Sequence, residues 1–178
     1  KGSTWDLIYD QVCYEACEAR ASCQTFAGKV GHYIFTSTQS VYGEGSPQRE
    51  GDVDTTKHEF STDAHRSKEY GEAKRQCEAV YFQTKAFPTT AVRFPIVLGP
   101  DDYTGRLTFH IDHIKNGQAF HLPNPEARIS FVSSAEAALA LAFLGKQAAL
   151  GPVNVCSPTP IALRDLMALI ESRKRKKA

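Results

Sequence analysis

Tyr70 and Lys74 stand four residues apart, and a helix carries residues i and i+4 on one face. That spacing brings a phenol and an ammonium within reach of one small group. A free phenol titrates near ~10, too high for a base at neutral pH. A neighbouring cation favours the phenolate and lowers that value. Upstream lies Phe35-Thr36-Ser37-Thr38-Gln39-Ser40-Val41-Tyr42-Gly43, rich in hydroxyls. A hydroxyl from Thr38 could bond the same oxygen and complete the set. Such a trio passes a proton to or from an alcohol or carbonyl, as general acid–base chemistry requires. Tyr and Lys at helical spacing also arise by chance. The hydroxyl-rich strand end and the surrounding order of strand, loop, helix and strand raise this pair above that background.

Several elements must position the trio. Residues 5–9 read as a short apolar strand, and 15–26 as a helix with Ala16, Ala19, Cys23 and Phe26 at helical spacing. Gly28 and Gly31 stand where a helix stop is expected. A β-branched and aromatic strand follows at 32–37. Residues 43–63 are a loop by composition, longer than a compact domain carries without a role, and such loops often cover active sites. The strongest helix is 67–85, with Tyr70, Ala73, Cys77, Val80, Tyr81 and Thr84 along one stripe. Residues 89–98 read as one apolar strand buried on both faces, ended by Gly99-Pro100-Asp101-Asp102. Further on come a helix at 107–116 closed by Gly117, a short strand at 119–122, an extended segment at 128–132 and an Ala/Leu-rich helix at 134–144. A short strand at 153–156 and a helix at 163–172 behind Pro160 complete the pattern. This alternation predicts an α/β fold with a mostly parallel sheet and helices on both faces.

Composition narrows the function classes. A chain of 178 residues is long enough to bury a real core. A net charge of +1 gives no bulk attraction to nucleic acid or an anionic membrane, and the basic run Arg173-Lys174-Arg175-Lys176-Lys177 reads as a solvated terminus. No apolar run reaches the ~18 residues of a membrane span, and no signal peptide opens the chain. The five cysteines are scattered without a CxxC pair, so neither a disulfide framework nor a zinc site is expected. Reduced thiols suit a cytoplasmic protein. His110, Asp112 and His113 lack a further ligand in sequence, so no metal is expected.

Taken in order, several motifs resemble the extended short-chain dehydrogenase/reductases, the NAD-dependent epimerase/dehydratase family. The stretch Phe35 through Gly43 resembles that family's strand end Ser-Ser/Thr-x-x-Val-Tyr-Gly. Tyr70-x-x-x-Lys74 resembles its Tyr–Lys pair, and Ala91-Val92-Arg93-Phe94-Pro95-Ile96-Val97-Leu98-Gly99-Pro100 its next strand and Gly-Pro exit. Gly151-Pro152-Val153-Asn154-Val155 resembles a late segment. The resemblance covers most of the chain and implies a Rossmann-like fold, NAD or NADP as cofactor, and a nucleotide-sugar or similar hydroxylated metabolite as substrate. It implies Tyr70 as acid/base, Lys74 lowering its pKa and contacting the nicotinamide ribose, and Thr38 holding the reacting hydroxyl. Thr36 and Ser37 would pass beside the nicotinamide, Pro95, Ile96 and Val97 would offer backbone to its carboxamide, and Asp10, Gln11 and Val12 would face the adenosine side. Arg106 and Arg128 are candidate substrate contacts. The expected organisation is residues 1–104 as the C-terminal half of a Rossmann-like domain and 105–178 as a mixed substrate-side region that partly returns to the sheet.

Departures from the family pattern narrow this further. The glycine-rich turn Gly-x-x-Gly-x-x-Gly that opens the family's pyrophosphate-binding helix occurs nowhere in the chain. The expectation is therefore a fragment that begins at the family's fourth strand, pairs with the missing N-terminal half or a second copy, and binds no dinucleotide tightly alone. Dehydratases follow the Thr with Asp-Glu, whereas Gln39 and Ser40 stand here, which argues against 4,6-dehydration. Phe131-Val132-Ser133-Ser134 replaces a His-Val-Asp-Asp-like segment. The leading reading is an NAD(P)-dependent epimerase or reductase. A non-catalytic nucleotide- or RNA-binding protein on the same fold is the alternative, and the intact Tyr70, Lys74 and Thr38 favour the enzyme.

Overall fold

The computed structural model describes residues 2–43, 45, 48–63, 69–100 and 102–175. The strands in chain order are β1 (Trp5–Asp10), β2 (Val30–Thr38), β3 (Thr89–Phe94), β4 (Ile96–Leu98), β5 (Arg128–Ile129), β6 (Phe131–Ser133), β7 (Gly151–Asn154) and β8 (Ile161–Ala162). The helices are α1 (Ala16–Phe26), α2 (Tyr70–Thr84), α3 (Arg106–Asn116), α4 (Ser134–Leu144) and α5 (Leu163–Arg175). The chain forms two compact units. The first runs to Pro95 and includes Ala137–Val155; the second is Ile96–Glu136 together with the chain from Cys156 on.

The first unit is a four-stranded sheet in the order β1-β2-β3-β7, parallel throughout. Parallel neighbours need crossover connections, and α1 and α2 supply two of them. Ile34, Phe35, Ala91 and Val92 in the two central strands are fully buried, as expected of strands covered on both faces. The core joins Ala16, Ala19 and Cys23 of α1 to Cys77, Val80 and Tyr81 of α2 over Tyr33, Phe35 and Ala91 of the sheet. Glu15 and Glu18 form a capping box that starts α1, and Lys85 ends α2 in the left-handed conformation.

In the second unit, β4 pairs with β6 in parallel and β5 with β8 antiparallel. Helices α3 and α5 pack together, and Gly117 closes α3 at φ 65°.

The α/β alternation expected from sequence is present, with two corrections. The strand expected over 89–98 is two strands, because Pro95 has no N–H to give a ladder and the chain after it pairs with β6 instead. Residues 119–122 form no strand; they run irregularly into the Pro123 and Pro125 turns. The helix expected from 67 is described from Tyr70, and residues 67 and 68 lie outside the described residues. The division into units falls after Pro95 and after Glu136, and within Ala137–Val155 it is β7 that joins the sheet.

The described part of the 43–63 loop is fastened down. A single 3-10 turn at Glu50–Asp52 interrupts it. The carbonyls of Thr55 and His58 accept from the Gln83 amide, His58 pairs with Glu72 at 2.9 Å, and the Thr62 hydroxyl accepts from Arg20 of α1. Residues 55–62 are thus tied to α1 and α2.

Candidate active site

β1 and β2 run in parallel, with Tyr9 opposite Ile34 and Asp10 opposite Phe35, so their carboxyl ends finish side by side. Open α/β sheets bind ligands at that end. Lys74, in the first turns of α2, reaches it from a site only 2% exposed. Its ammonium donates to the carbonyls of Cys13 at 2.7 Å and Thr36 at 2.8 Å. It also lies 4.7 Å from the Tyr14 ring centre and 4.5 Å from that of Phe35. Burial pushes its pKa below the ordinary lysine value. The two carbonyls and two ring faces offset that by solvating the cation. An ammonium has three N–H groups, and the third has no acceptor among the described residues.

Tyr70 is the first residue of α2 and is half-exposed. Its ring lies 6.3 Å from that of Tyr14, so Tyr14 touches both members of the Tyr–Lys pair. Thr38 ends β2. Its hydroxyl accepts from the Ser40 N–H at 3.1 Å and donates to the Ser40 hydroxyl at 3.3 Å, capping the turn Gln39–Val41. Next to Tyr70, Gly71 brings the helix backbone against that turn: an added Cβ would lie 2.2 Å from the Ser40 oxygen. The strand end with Thr38 and the helix start with Tyr70 are therefore in direct backbone contact.

The other expected site residues fall into two groups. Gln11 accepts from the Thr36 hydroxyl at 3.0 Å, and Val12 is 76% exposed. With Tyr9, Asp10, Cys13 and Glu18 they line a cleft of about 450 Å³. The Asp10 carboxylate is committed to the core, accepting from the N–H groups of Val12 and Cys13 and from the hydroxyls of Tyr33 and Tyr81. What Asp10 offers the cleft is backbone. Ser37 is buried and donates to Glu78. Pro95 closes the first unit, whereas Ile96, Val97, Arg106 and Arg128 belong to the second. Arg106 is exposed at the start of α3, and Arg128 donates to the Pro160 carbonyl at 2.6 Å.

Cys13, Tyr14, Glu78 and Arg93 contact the candidate site residues and were not singled out from sequence: Cys13 and Tyr14 meet Lys74, Glu78 meets Ser37, and Arg93 meets Glu78. Cys13 and Tyr14 act across a long sequence separation, and nothing local marks them. Glu78 did carry a signal: it follows Lys74 by one helical turn on a face otherwise apolar. His110 and His113 pack against Phe109 and Phe120, and among the described residues no group of three or more His, Cys, Asp or Glu is arranged to hold a metal. No helix among them is long and apolar enough to cross a membrane.

A parallel sheet, a lysine buried at its carboxyl edge and a hydroxyl-bearing strand end define a Rossmann-like α/β protein. Residues 13–156 match the NAD dependent epimerase/dehydratase family, and the chain belongs to it. Its fold is shared with UDP-N-acetylglucosamine 4-epimerase from Bacillus cereus, at 15% identity and TM-score 0.69, covering 96% of this chain and 64% of that one. TunA, an NAD-dependent NDP-hexosamine 5,6-dehydratase of tunicamycin biosynthesis, aligns at 17% identity and TM-score 0.73, covering 95% and 61%. WbmG of Bordetella bronchiseptica, solved with NAD and UDP, aligns at 18% identity and TM-score 0.64, covering 90% and 48%. The chain thus spans less than two thirds of the length of each. No curated protein sequence matches it.

Proposed function

We propose that this chain carries the proton-transfer part of an NAD(P)-dependent epimerase or reductase acting on a nucleotide sugar or a similar hydroxylated metabolite. The observation that carries this reading is Lys74. A lysine held nine-tenths or more out of water, fixed by two carbonyls at the carboxyl end of a parallel sheet and one turn from Tyr70, is built to act on a neighbour. Family membership and the NAD and UDP bound to WbmG support the same ligand classes.

The residues present fit the nicotinamide end of such a cofactor. The Lys74 N–H left over from the Cys13 and Thr36 carbonyls suits a ribose hydroxyl, and Asp10, Gln11 and Val12 line a separate cleft on the β1 side. They do not supply a pyrophosphate cradle, since the chain has no Gly-x-x-Gly-x-x-Gly. When bound, the cofactor accepts and returns hydride. The chain moves the proton. Tyr70 takes it from the substrate hydroxyl during oxidation and returns it on reduction, with Lys74 favouring the phenolate in between. The Thr38 hydroxyl holds the reacting oxygen, and its long 3.3 Å bond to Ser40 is the one exchanged for substrate. Gln39 and Ser40 offer no carboxylate for eliminating water across the sugar. Arg106 and Arg128 are the cations proposed for the substrate.

The test is turnover of a panel of nucleotide sugars by the whole protein that contains this chain, wild type against Tyr70→Phe. Interconversion or reduction that disappears in the variant supports the reading, and full activity without the phenol refutes it.

A further inference from the structure

We infer that Glu78 and Arg93 are positioning residues that set the strand end carrying Thr38 against the helix carrying Tyr70 and Lys74. The kinetic part of this inference rests on the function proposed above; its structural part does not. Both side chains are completely buried. The guanidinium of Arg93 meets the Glu78 carboxylate as a fork, Nε to Oε1 at 3.0 Å and Nη2 to Oε2 at 2.6 Å. Its remaining N–H groups go to the Tyr42 hydroxyl at 2.9 Å and the carbonyls of Glu50 at 3.1 Å and Val53 at 3.4 Å. Glu78 also accepts from the Ser37 hydroxyl at 2.5 Å and the Thr55 hydroxyl at 3.1 Å. A guanidinium has five donors and a carboxylate about four acceptor positions, so both inventories are filled. Such a network admits one arrangement of its members.

Those members belong to different elements. Glu78 is on α2, Arg93 on β3, Ser37 at the end of β2, Tyr42 in the turn beyond it, and Glu50, Val53 and Thr55 in the loop. Tyr42 extends the chain to Asn154 of β7 at 2.7 Å. Lys74 and Glu78 are one helical turn apart and latch consecutive residues of β2, Lys74 the Thr36 carbonyl and Glu78 the Ser37 hydroxyl. Thr38 is the next residue. Buried ion pairs add little net stability, and apolar replacements of similar volume are often neutral. What this pair contributes is register.

The test uses Glu78→Gln, which keeps the shape, and the double variant Glu78→Leu/Arg93→Met, which removes both charges. Amide exchange of the chain reads residues 37–42 and 48–55 separately from α1. We expect the double variant to keep its thermal midpoint within a few degrees while exchange in those two segments rises at least about tenfold and α1 stays as in wild type. In the whole protein, kcat is expected to fall roughly tenfold or more with KM little changed, since small misplacements of reacting groups are costly. The alkaline shift of the pH profile that follows from a loosened Lys74 should accompany it. Wild-type exchange in 37–42 and 48–55, or an unaltered kcat and pH profile, overturns the inference. If the double variant fails to fold, Glu78→Gln decides by the same exchange measurement. If wild type turns over no nucleotide sugar, the proposed function fails while the exchange result still judges the positioning role.

Discussion

Gly71 lies against Ser40: a Cβ on Gly71 would sit 2.2 Å from the Ser40 carbonyl oxygen and 3.1 Å from its carbon. Both atoms are backbone, so no rotamer change relieves the overlap. Gly71→Ala must push α2 away from the turn that follows Thr38, at a cost of about 1–3 kcal/mol for overpacking. For a chain of this size that is a fall of roughly 2–12 °C in the melting midpoint, measurable by circular dichroism. Turnover should fall by more than stability accounts for, because the displaced helix start carries Tyr70.

Tyr70→Phe removes the proposed acid/base while leaving the ring on Tyr14. Turnover by the whole protein should drop at least ~100-fold, with cofactor affinity by calorimetry nearly unchanged. Lys74→Met should move the pH optimum upward, since the phenolate loses its neighbouring cation. It should also destabilise the fold by about 1–3 kcal/mol, because the carbonyls of Cys13 and Thr36 lose their donor.

Glu72 gives an acid-side prediction. Burial pushes its carboxyl pKa up, but hydrogen bonds from Gln76, His58 and Arg75 outweigh this and hold it down to about 2, against 4.5 for the free group. A depressed carboxyl contributes stability that is complete above the unfolded value and disappears as pH falls through the folded one. Wild type should therefore lose stability more steeply than Glu72→Gln between pH 4.5 and about 2. Melting midpoints across that range check it; parallel curves would show that the bonds to His58 and Arg75 do not matter.

Calorimetry of this chain with NAD(H) and NADP(H) should give no tight binding, since no glycine-rich turn is present to cradle a pyrophosphate. A micromolar Kd would mean that the chain forms the cradle in another way.

The strands and helices around the site were legible because their apolar residues recur with the periods of buried strands and half-buried helices. The Ala/Leu spacing over 134–144 predicts a helix with the bounds the structure gives. Pro95 was visible in the sequence, but only tertiary pairing shows that the chain after it leaves the sheet. That Tyr70 and Lys74 share one helix and Thr38 ends a strand was legible from type and spacing. Lys74's partners were not, because Cys13 is 61 positions away and contributes a carbonyl that every residue has. Asp10 illustrates the converse. The family resemblance implies a place for it against the cofactor, whereas its carboxylate accepts from two phenols whose approach no local pattern records.

Those phenols give the fold an alkaline ceiling. Tyr33 and Tyr81 both donate to Asp10, and burial foremost, then the adjacent charge, drives their ionisation well above that of a free phenol. The unfolded chain sheds these protons at lower pH than the folded one, so base pulls the equilibrium toward unfolding. Ultraviolet titration should then show phenolate absorbance from the accessible tyrosines first, followed by a steep second rise that coincides with loss of helical ellipticity.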